Sequence, residues 1–419
     1  MSNPDLKTDQ GFSAIELMIS QTLGMLVITA FIALLAPAIL ALGKNNTVSM
    51  QQESLRFATD LLHRTITQAG YHGCRSDIPS VSTIDAASPE ISSQLNQWAY
   101  KNFEVNGISA HDVEKITTLF GNGWNQNRFQ FNQTAYGDIL MLRAVSANEF
   151  TLAAHDPEAE TINFEGNVID ALGQSHLLEL NDCRQNTTVH LSTSLPASYD
   201  ATSDTTRVHY SAAHTVNCTA LDIREDGGSI DSGRVLLGNS GDAHCAGNSG
   251  LSQYDLYHYA PGTRAHLVKP VALYLGHDAV SGQPALYQMT IAADGIRSYS
   301  EALIEGVENI RILYGIDDNG DGIPDDYLYG QRMDQDSARW DQVVTIRLWL
   351  MMRTIAGRAS TTHQQTIYFP DYRGQMVNCD LQHDRSILAC PFNPDEEADS
   401  SRTSRRVTSF EIAIRNRGT

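Results

Sequence analysis

Residues 23–42 form an uncharged apolar run that constrains the fold more than any other feature of the sequence. Only Gly24, Thr29 and Pro37 interrupt it, and a helix of about twenty residues is long enough to cross the hydrocarbon core of a bilayer. Upstream, Glu16 lies among apolar residues, where an ionised carboxylate costs roughly 3 kcal/mol unless it finds a partner. The N-terminus therefore predicts one membrane-spanning helix that carries a single acidic side chain.

The candidate cleavage site lies in an unusual place relative to this helix. A general secretory signal peptide is cleaved after its apolar segment, whereas the junction between Gly11 and Phe12 comes before it. The segment Gly-Phe-Ser-Ala-Ile-Glu-Leu-Met at 11–18 resembles the signal of type IV prepilins and of type II secretion pseudopilins. The resemblance implies that a prepilin peptidase cleaves after Gly11 and N-methylates Phe12, so that the apolar helix stays in the mature chain.

Cleavage at this junction would give Glu16 a partner. The new ammonium group on Phe12 must be matched once apolar helices pack together, and we expect Glu16 of one subunit to pair with Phe12 of its neighbour. Removing one member of a buried ion pair costs about 3–5 kcal/mol, so the pair would fix the axial register of the subunits. An ordinary signal anchor with Glu16 at the headgroup level is the alternative. The leader also departs from prepilin leaders, which are usually basic, because it contains one basic and two acidic residues.

Beyond the membrane segment, apolar residues recur at helical spacing, which predicts an amphipathic stem. They are Val48, Leu55, Ala58, Leu62, Ile66 and Ala69, and Arg56, Asp60, His63 and Arg64 lie between them. A glycine cap predicts that the helix ends near Gly70. The stretch 56–74, from Arg56-Phe57-Ala58 to Gly73-Cys74, resembles the PilW family of minor pilins.

The C-terminal part of the chain shows the alternation of apolar and polar residues that is typical of strands. Predicted strands cover 138–143, 265–275, 285–290, 310–314, 344–352 and 408–414. A long helix followed by antiparallel strands indicates the α+β class. The stretch 405–416 resembles the closing strand of the PilW family, and this implies a pilin-like fold in which the long helix packs on an antiparallel sheet.

These patterns divide the chain into four parts. We expect a leader at 1–11, a transmembrane helix at 12–43, a stem helix at 44–72 and a periplasmic head at 73–419. Two stretches rich in Ser, Asn, Gln and Gly, at about 79–135 and 181–250, are interpreted as insertions in the head.

Residues 317–326 form an acidic, glycine-rich loop directly after a predicted strand. Oxygen-bearing side chains at alternate positions, with a glycine at the turn, resemble a calcium-binding loop. The predicted ligands are Asp317, Asn319, Asp321, the carbonyl group of Ile323, and Asp325 or Asp326. Leu328 stands where the closing glutamate of an EF-hand would fall, so a dockerin-like loop is the closer comparison. Ca²⁺ is therefore the predicted cofactor, and an acidic turn without metal is the alternative.

Six cysteines occur singly, without the close pairs that are typical of zinc sites. An even number in an exported head predicts three disulfide bonds. The candidate pairs are Cys379 with Cys390, which closes a short loop, and then Cys218 with Cys245 and Cys74 with Cys183. Other pairings, and reduced cysteines in a cytosolic protein, remain alternatives.

Composition excludes some classes of function. The formal net charge of −20 disfavours a surface that follows a phosphate backbone, so we expect no nucleic-acid partner. The sequence contains no Gly-x-Ser-x-Gly elbow, no His-Glu-x-x-His motif, no Walker loop and no Rossmann glycine pattern. We therefore predict that the chain is not an enzyme.

The resemblance implies a minor pilin that is held in the inner membrane by one helix with its head in the periplasm. After cleavage and methylation it would enter the initiation or tip complex of a type IV pilus, at the tip or base of the fibre, and serve twitching motility or cell adhesion. Its expected partners are other minor pilins, the major pilin, prepilin peptidase and the assembly platform of the inner membrane. A J-type pseudopilin of a type II secretion system, or an adhesin presented at the pilus tip, is the alternative.

Overall fold

The chain folds into one long N-terminal helix and a body of mainly antiparallel strands. The computed structural model describes residues 13–69, 80–82, 105–108, 137–156, 159–173, 175–184, 186–192, 194–210, 258–277, 283–291, 298–333, 335, 337–354, 367–371, 373–378 and 405–414. The predicted α+β class is confirmed for this part of the chain.

Helix α1 spans Ala14–Thr67 and has 54 residues. Its first part, Ala14–Leu35, has a mean hydropathy of 2.1, is long and apolar enough to cross a membrane, and is not buried against the head. In the second part the predicted apolar positions Leu55, Ala58, Leu62 and Ile66 are all buried. One helix therefore joins an exposed apolar half to an amphipathic half that packs on the head.

The helix ends slightly earlier than the sequence suggests. Its last residue is Thr67, and Gln68 takes the capping position in a right-handed conformation. Ala69 then forms an antiparallel bridge with Ala144, so the backbone directly after the helix pairs with a strand. Gly70, the predicted cap, lies outside the described residues.

The strands form a larger and a smaller sheet. Eleven strands make up the larger sheet, in which β9 pairs with β3, β5 and β10, and all described pairings are antiparallel except that of β1 with β6. These strands are β1 (Ser80–Ser82), β2 (Val105–Ile108), β3 (Ile139–Asp156), β4 (Thr161–Glu165), β5 (Leu177–Asn181), β6 (Asn186–His190), β7 (Ser198–Asp200), β8 (Thr205–His209), β9 (Arg264–His277), β10 (Pro284–Ile291) and β11 (Ser298–Glu305). A short helix α2 (Ile169–Leu172) follows β4.

The smaller sheet has four strands in the order β13-β12-β14-β17, all antiparallel. They are β12 (Val307–Ile316), β13 (Asp326–Tyr329), β14 (Val343–Arg353) and β17 (Arg405–Ala413), and β15 (Tyr368–Pro370) and β16 (Met376–Asn378) form a separate hairpin. Helix α3 (Gly330–Met333) and a 3₁₀ helix (Ser337–Gln342) connect β13 to β14. The six predicted strands are all present and most are longer than predicted.

The main core lies between the second half of α1 and the smaller sheet. Stem residues such as Leu62 and Ile66 pack with alternate residues of β12 and β14, among them Ile310 and Leu348, and with Ile412 near the end of β17. On β14 the predicted inward position Val344 is replaced in this core by Val343, because the pairing of β12 with β14 shifts register at Gly315 and Ile316. A second core, which includes Phe164 and Leu267, belongs to the larger sheet.

Strand β11 continues into β12 through a single residue, Gly306, so the two sheets are joined without a loop. Gly306 has a φ of 84°, a conformation that a residue with a Cβ atom rarely adopts. Its N–H donates to the Pro284 carbonyl group at 2.6 Å, and its own carbonyl group accepts from Arg353 N–H at 2.8 Å. The junction is thus fixed by hydrogen bonds to both sheets.

Residues 186–209 of the second predicted insertion contain β6, β7 and β8, which are paired strands of the larger sheet. In the first predicted insertion, β1 and β2 also pair with this sheet. Both stretches therefore contribute to the larger sheet.

Among the described residues, three ion pairs are buried within the sheets. Arg405 of β17 donates from Nε and Nη2 to the two carboxylate oxygens of Glu308 on β12, at 2.7 and 2.9 Å. Arg143 and Glu179 join β3 to β5 at 3.0 Å. Asp138 accepts from Ile312 N–H at 2.9 Å and lies 3.6 Å from the Arg311 guanidinium group, which connects the start of β3 to the smaller sheet.

Candidate functional site

The first turn of α1 contains the predicted assembly residue. Gly11 and Phe12, the predicted processing residues, lie outside the described residues, and Ser13 caps the helix. The Glu16 carboxylate accepts from Ser13 N–H at 3.1 Å, while Ser13 Oγ accepts from Ile15 N–H at 3.4 Å. This capping box brings the Glu16 carboxylate to the backbone one residue after the position where the cleaved chain would begin.

The surface that follows Glu16 is continuously apolar. Large apolar side chains from Ile15 to Leu34 are each more than half exposed, and they occupy all sides of the helix. A soluble helix would bury one such face, so this half of α1 requires a lipid or protein environment around its whole circumference. The predicted membrane segment is therefore consistent with the observed exposure.

The acidic loop connects β12 to β13 and is organised around Asp317. The two oxygens of this carboxylate accept four backbone N–H groups, with distances of 2.7 Å from Gly320 and 2.7 Å from Gly322 for the shortest two. Burial raises the pKa of Asp317, but these four donors outweigh that effect and the net shift is downward. Asp317 is therefore held in its ionised form at the base of the loop.

Three further predicted ligands converge in the loop. Asn319 donates from Nδ2 to Asp321 Oδ2 at 3.3 Å and to Asp325 Oδ1 at 3.3 Å. Asp325 also accepts from Asp318 N–H at 2.9 Å, which closes the loop on itself. Within the part of the chain that the structure describes, no group of three or more His, Cys, Asp or Glu side chains is arranged to hold a metal ion.

The remaining two predicted ligands are Ile323 and Asp326. Ile323 donates its N–H to Asp321 at 2.8 Å, and its side chain is 65% exposed at the tip of the loop. Asp326 lines a separate cleft of about 440 Å³. The other lining residues of this cleft are Leu328, Arg332, Gln335 and Arg339. The structure therefore favours Asp325 over Asp326 as a neighbour of Asn319.

A side-chain cluster that the sequence did not reveal connects the acidic loop to the last strand. Tyr327, at the start of β13, donates its hydroxyl to Glu411 of β17, and Arg347 of β14 donates to the same carboxylate at 2.8 and 3.0 Å. The Arg347 guanidinium carbon lies 3.7 Å from the centre of the Tyr327 ring. Burial and the bond to Glu411 raise the Tyr327 pKa. Burial also raises the Glu411 pKa, but its hydrogen bonds with Tyr327, Arg347 and Thr345 outweigh that effect and the net shift is downward.

Tyr327 can reach across the sheet because Gly315 lies between it and β14. A Cβ atom on Gly315 would be 2.1 Å from Thr345 Oγ1 and 3.1 Å from the Tyr327 ring. The only sequence signal for this cluster is a glycine in the middle of a strand, which often marks a close approach of another group. The cluster fixes the position of the acidic loop relative to β14 and β17.

Of the six predicted disulfide cysteines, Cys183 alone lies among the described residues. Cys183 is disulfide-bonded, and the other half of this bond is outside the described part of the chain. The pairing of Cys183 with Cys74, and the pairs formed by Cys218, Cys245, Cys379 and Cys390, therefore stay predictions.

Comparison with known proteins identifies the C-terminal part of the chain. Residues 273–416 match a family model described as type IV pilus-assembly protein W, PilW. No curated protein and no solved structure matches the chain. The matched segment contains the acidic loop and all four strands of the smaller sheet, on which the amphipathic half of α1 packs. The segment at 273–416 is therefore similar to the PilW family of type IV pilus assembly.

Proposed function

We propose that this chain is a minor pilin, made as a prepilin and assembled with other minor pilins into the initiation or tip complex of a type IV pilus. The observation that carries the proposal is the division of α1 into an exposed apolar half and a half packed on a PilW-matched sheet. Such a helix can be stored in a bilayer and then transferred to the apolar interior of a fibre without refolding the head.

Processing is the first step of the proposed function. Prepilin peptidase cleaves after Gly11 and methylates the new terminal amine of Phe12. The capping arrangement of Ser13 and Glu16 supports a role for this amine, because the carboxylate already lies at the N-terminal end of the helix, where positive charge from the backbone N–H groups is concentrated. In the assembled fibre, Glu16 then pairs with the Phe12 amine of a neighbouring subunit.

The location follows from the anchor and the size of the head. Before assembly the chain is a single-pass protein of the inner membrane with its head in the periplasm, in contact with the assembly platform. In the fibre, the head at 73–419 is too large for regular stacking at every subunit, which favours a place at the tip or base. Its neighbours there are other minor pilins and the major pilin.

Replacing Glu16 by alanine should reduce the amount of this chain in purified pili at least about tenfold, because one partner of a buried ion pair is lost. The measurement is the ratio of the chain in sheared pili to the chain in the inner membrane, by quantitative immunoblot. Glu16→Gln is the matched control for helix capping, because it keeps an acceptor for Ser13 N–H but not the charge. Incorporation of Glu16→Ala at the wild-type level would contradict the proposal.

We further propose that the acidic loop binds one calcium ion. The support is the position of the Asp321 and Asp325 carboxylates, which both accept from the Asn319 amide group beside the ionised Asp317, since carboxylate oxygens suit a hard cation. The bound ion would offset the mutual repulsion of the carboxylates and hold the loop in place.

Calcium at a hundred times its dissociation constant should stabilise the protein by about 2.7 kcal/mol relative to a chelator. Thermal unfolding of the full chain in detergent, with and without calcium, measures this change. Asp325→Asn should remove most of the effect, and Asp326→Asn, a change of an acidic residue that lines the separate cleft, is the matched control. Equal melting curves in calcium and in chelator would rule out the site.

A further inference from the structure

The smaller sheet has one long edge that no described strand covers. Strand β17 is the last strand in the order β13-β12-β14-β17, and it pairs along all nine of its residues with β14. On its other side it pairs with none of the strands that the structure describes. The free side of β17 is therefore a candidate for pairing with another chain.

The backbone groups on this side can be assigned from the register. Ile414 donates its N–H to Val344 at 2.8 Å, and in an antiparallel pair the residues at every second position behave alike. The even-numbered residues of β17 therefore direct their N–H and C=O groups at β14. The odd-numbered residues direct theirs away from it, and among these are Val407, Ser409, Glu411 and Ala413. Among the described residues, no hydrogen bond is found for the outward-directed N–H and C=O groups of these four residues.

This edge lacks most of the features that usually prevent strand addition, and its charged residues Arg405 and Glu411 are paired with residues of the same sheet. It contains no proline, no lysine and no register shift against β14. The other described edges differ, because β1, β2, β7 and β13 have only three or four residues each, and β11 meets a register shift in β10. The side of β17 that faces α1 is also incompletely covered, since Phe410 packs on the main core but is only partly buried.

We propose that the free edge of β17 accepts an extended strand from a different subunit of the pilus. This inference rests on the proposed assembly into a fibre and specifies the kind of contact that the head makes there. The partner strand would satisfy the outward-directed backbone groups, place apolar side chains over Phe410, and bring an acidic residue near the exposed Arg406.

A second copy of this chain does not fit the same edge. Two copies of β17 could pair antiparallel in a continuous sheet only around a two-fold axis perpendicular to that sheet. This axis reverses every direction in the plane of the sheet, including the direction of α1, which packs flat on it. The two apolar N-terminal segments would then point in opposite directions and could not enter one membrane. A strand of a different subunit has no such restriction.

The edge can be blocked without disturbing the fold. Ser409→Pro removes an N–H group that points away from β14, so the bonds between β14 and β17 remain, and proline is tolerated at the free side of an edge strand. In cells that carry the full chain, this variant should be at least tenfold depleted from sheared pili at an unchanged membrane level. Ser409→Ala, which keeps the N–H group, should behave as wild type.

Thermal unfolding of the same variants separates assembly from folding, and the melting temperature of Ser409→Pro should stay within about 4 °C of wild type. If Ser409→Pro unfolds, a photo-cross-linking residue placed at 409 gives the second measurement, with Tyr299 on the free edge of β11 as the matched position. Position 409 should cross-link to another pilus subunit, identified by mass spectrometry of sheared pili and of membranes.

The outcomes distinguish this inference from the proposed function. Three results would overturn the strand-addition proposal while leaving the proposed minor-pilin function intact. They are wild-type incorporation of a folded Ser409→Pro variant, cross-links from 409 only to a second copy of the chain, and equal cross-linking from 409 and 299. Absence of the wild-type chain from pili would instead overturn the proposed function. A cross-link from 409 to a different pilus subunit in membranes would still support the contact in that case.

Discussion

The Arg405→Met variant is expected to be less stable than wild type by about 3–5 kcal/mol, because it leaves the Glu308 carboxylate buried without its partner. Both side chains are buried, at 1% and 9% exposure, and they form two hydrogen bonds across the smaller sheet. Arg405 begins the last strand, so loss of the pair should also detach the start of β17 from β12. Urea unfolding of the full chain in detergent, followed by tryptophan fluorescence, measures the change.

A second substitution distinguishes charge burial from a general loss of packing. Glu308→Leu in the Arg405→Met background removes the unpaired charge and restores apolar contact, so the double variant should recover much of the lost stability. Arg406→Met, at the neighbouring exposed position, should change stability by less than about 0.5 kcal/mol. A double variant no more stable than Arg405→Met alone would show that the charge is not the cause.

Acidification should destabilise the head through His155. Burial, together with nearby His258, lowers the pKa of this histidine from 6.5 to about 4, although Asp156 opposes the shift. Its Nδ1 accepts from Tyr259 N–H at 3.1 Å, so the proton of the neutral ring is on Nε2, which donates to the Tyr210 hydroxyl at 2.9 Å. Protonation of Nδ1 would remove the bond from Tyr259.

The sign of the effect follows from the two pKa values. The unfolded chain binds a proton at His155 near pH 6.5, whereas the folded chain does so only near pH 4. The contribution of the neutral ring is therefore complete above pH 6.5 and is lost progressively as the pH falls to about 4, by about 3 kcal/mol in total. Urea unfolding at a series of pH values measures it.

Asparagine is the informative replacement at this position, because its side-chain oxygen can still accept from Tyr259 N–H but does not titrate. His155→Asn should lower stability at pH 7 through loss of the bond to Tyr210, and it should flatten the dependence between pH 6.5 and 4. His63→Asn, an exposed change on α1, should leave that dependence unaltered. A His155→Asn variant with the wild-type pH profile would mean that other groups cause the acid sensitivity.

Local patterns in the sequence were sufficient for α1 and for three of the four strands of the smaller sheet, whereas the short strand β13 was not predicted. The spacing of Leu55, Ala58, Leu62 and Ile66 identifies the buried face of the stem, because helical periodicity depends on near neighbours only. The alternation of apolar and polar residues likewise identifies the buried faces of β12, β14 and β17. The resemblance to the PilW family, which was based partly on residues in this region, is supported by the match at 273–416.

The polar contacts could not be predicted in the same way. Arg405 and Glu308 are 97 residues apart in the chain, and His155 and Tyr259 are 104 apart, so no local spacing reveals them. The size of the larger sheet was also not foreseen, since the short strands β6 to β8 lie in a stretch whose composition is typical of loops. For the acidic loop, the alternating oxygen-bearing residues indicated the candidate ligands, and the fold showed which of them lie together.

The continuity of α1 links the orientation of the head to the position of the anchor. A helix of 54 residues is about 80 Å long, and each residue turns it by about 100°. Adding or removing one residue between the membrane half and the stem would therefore rotate the whole head by that angle around the helix axis and move it by about 1.5 Å. The number of residues in this connection thus sets the rotation angle of the head about the helix axis. That angle determines which neighbouring subunit the β17 edge faces.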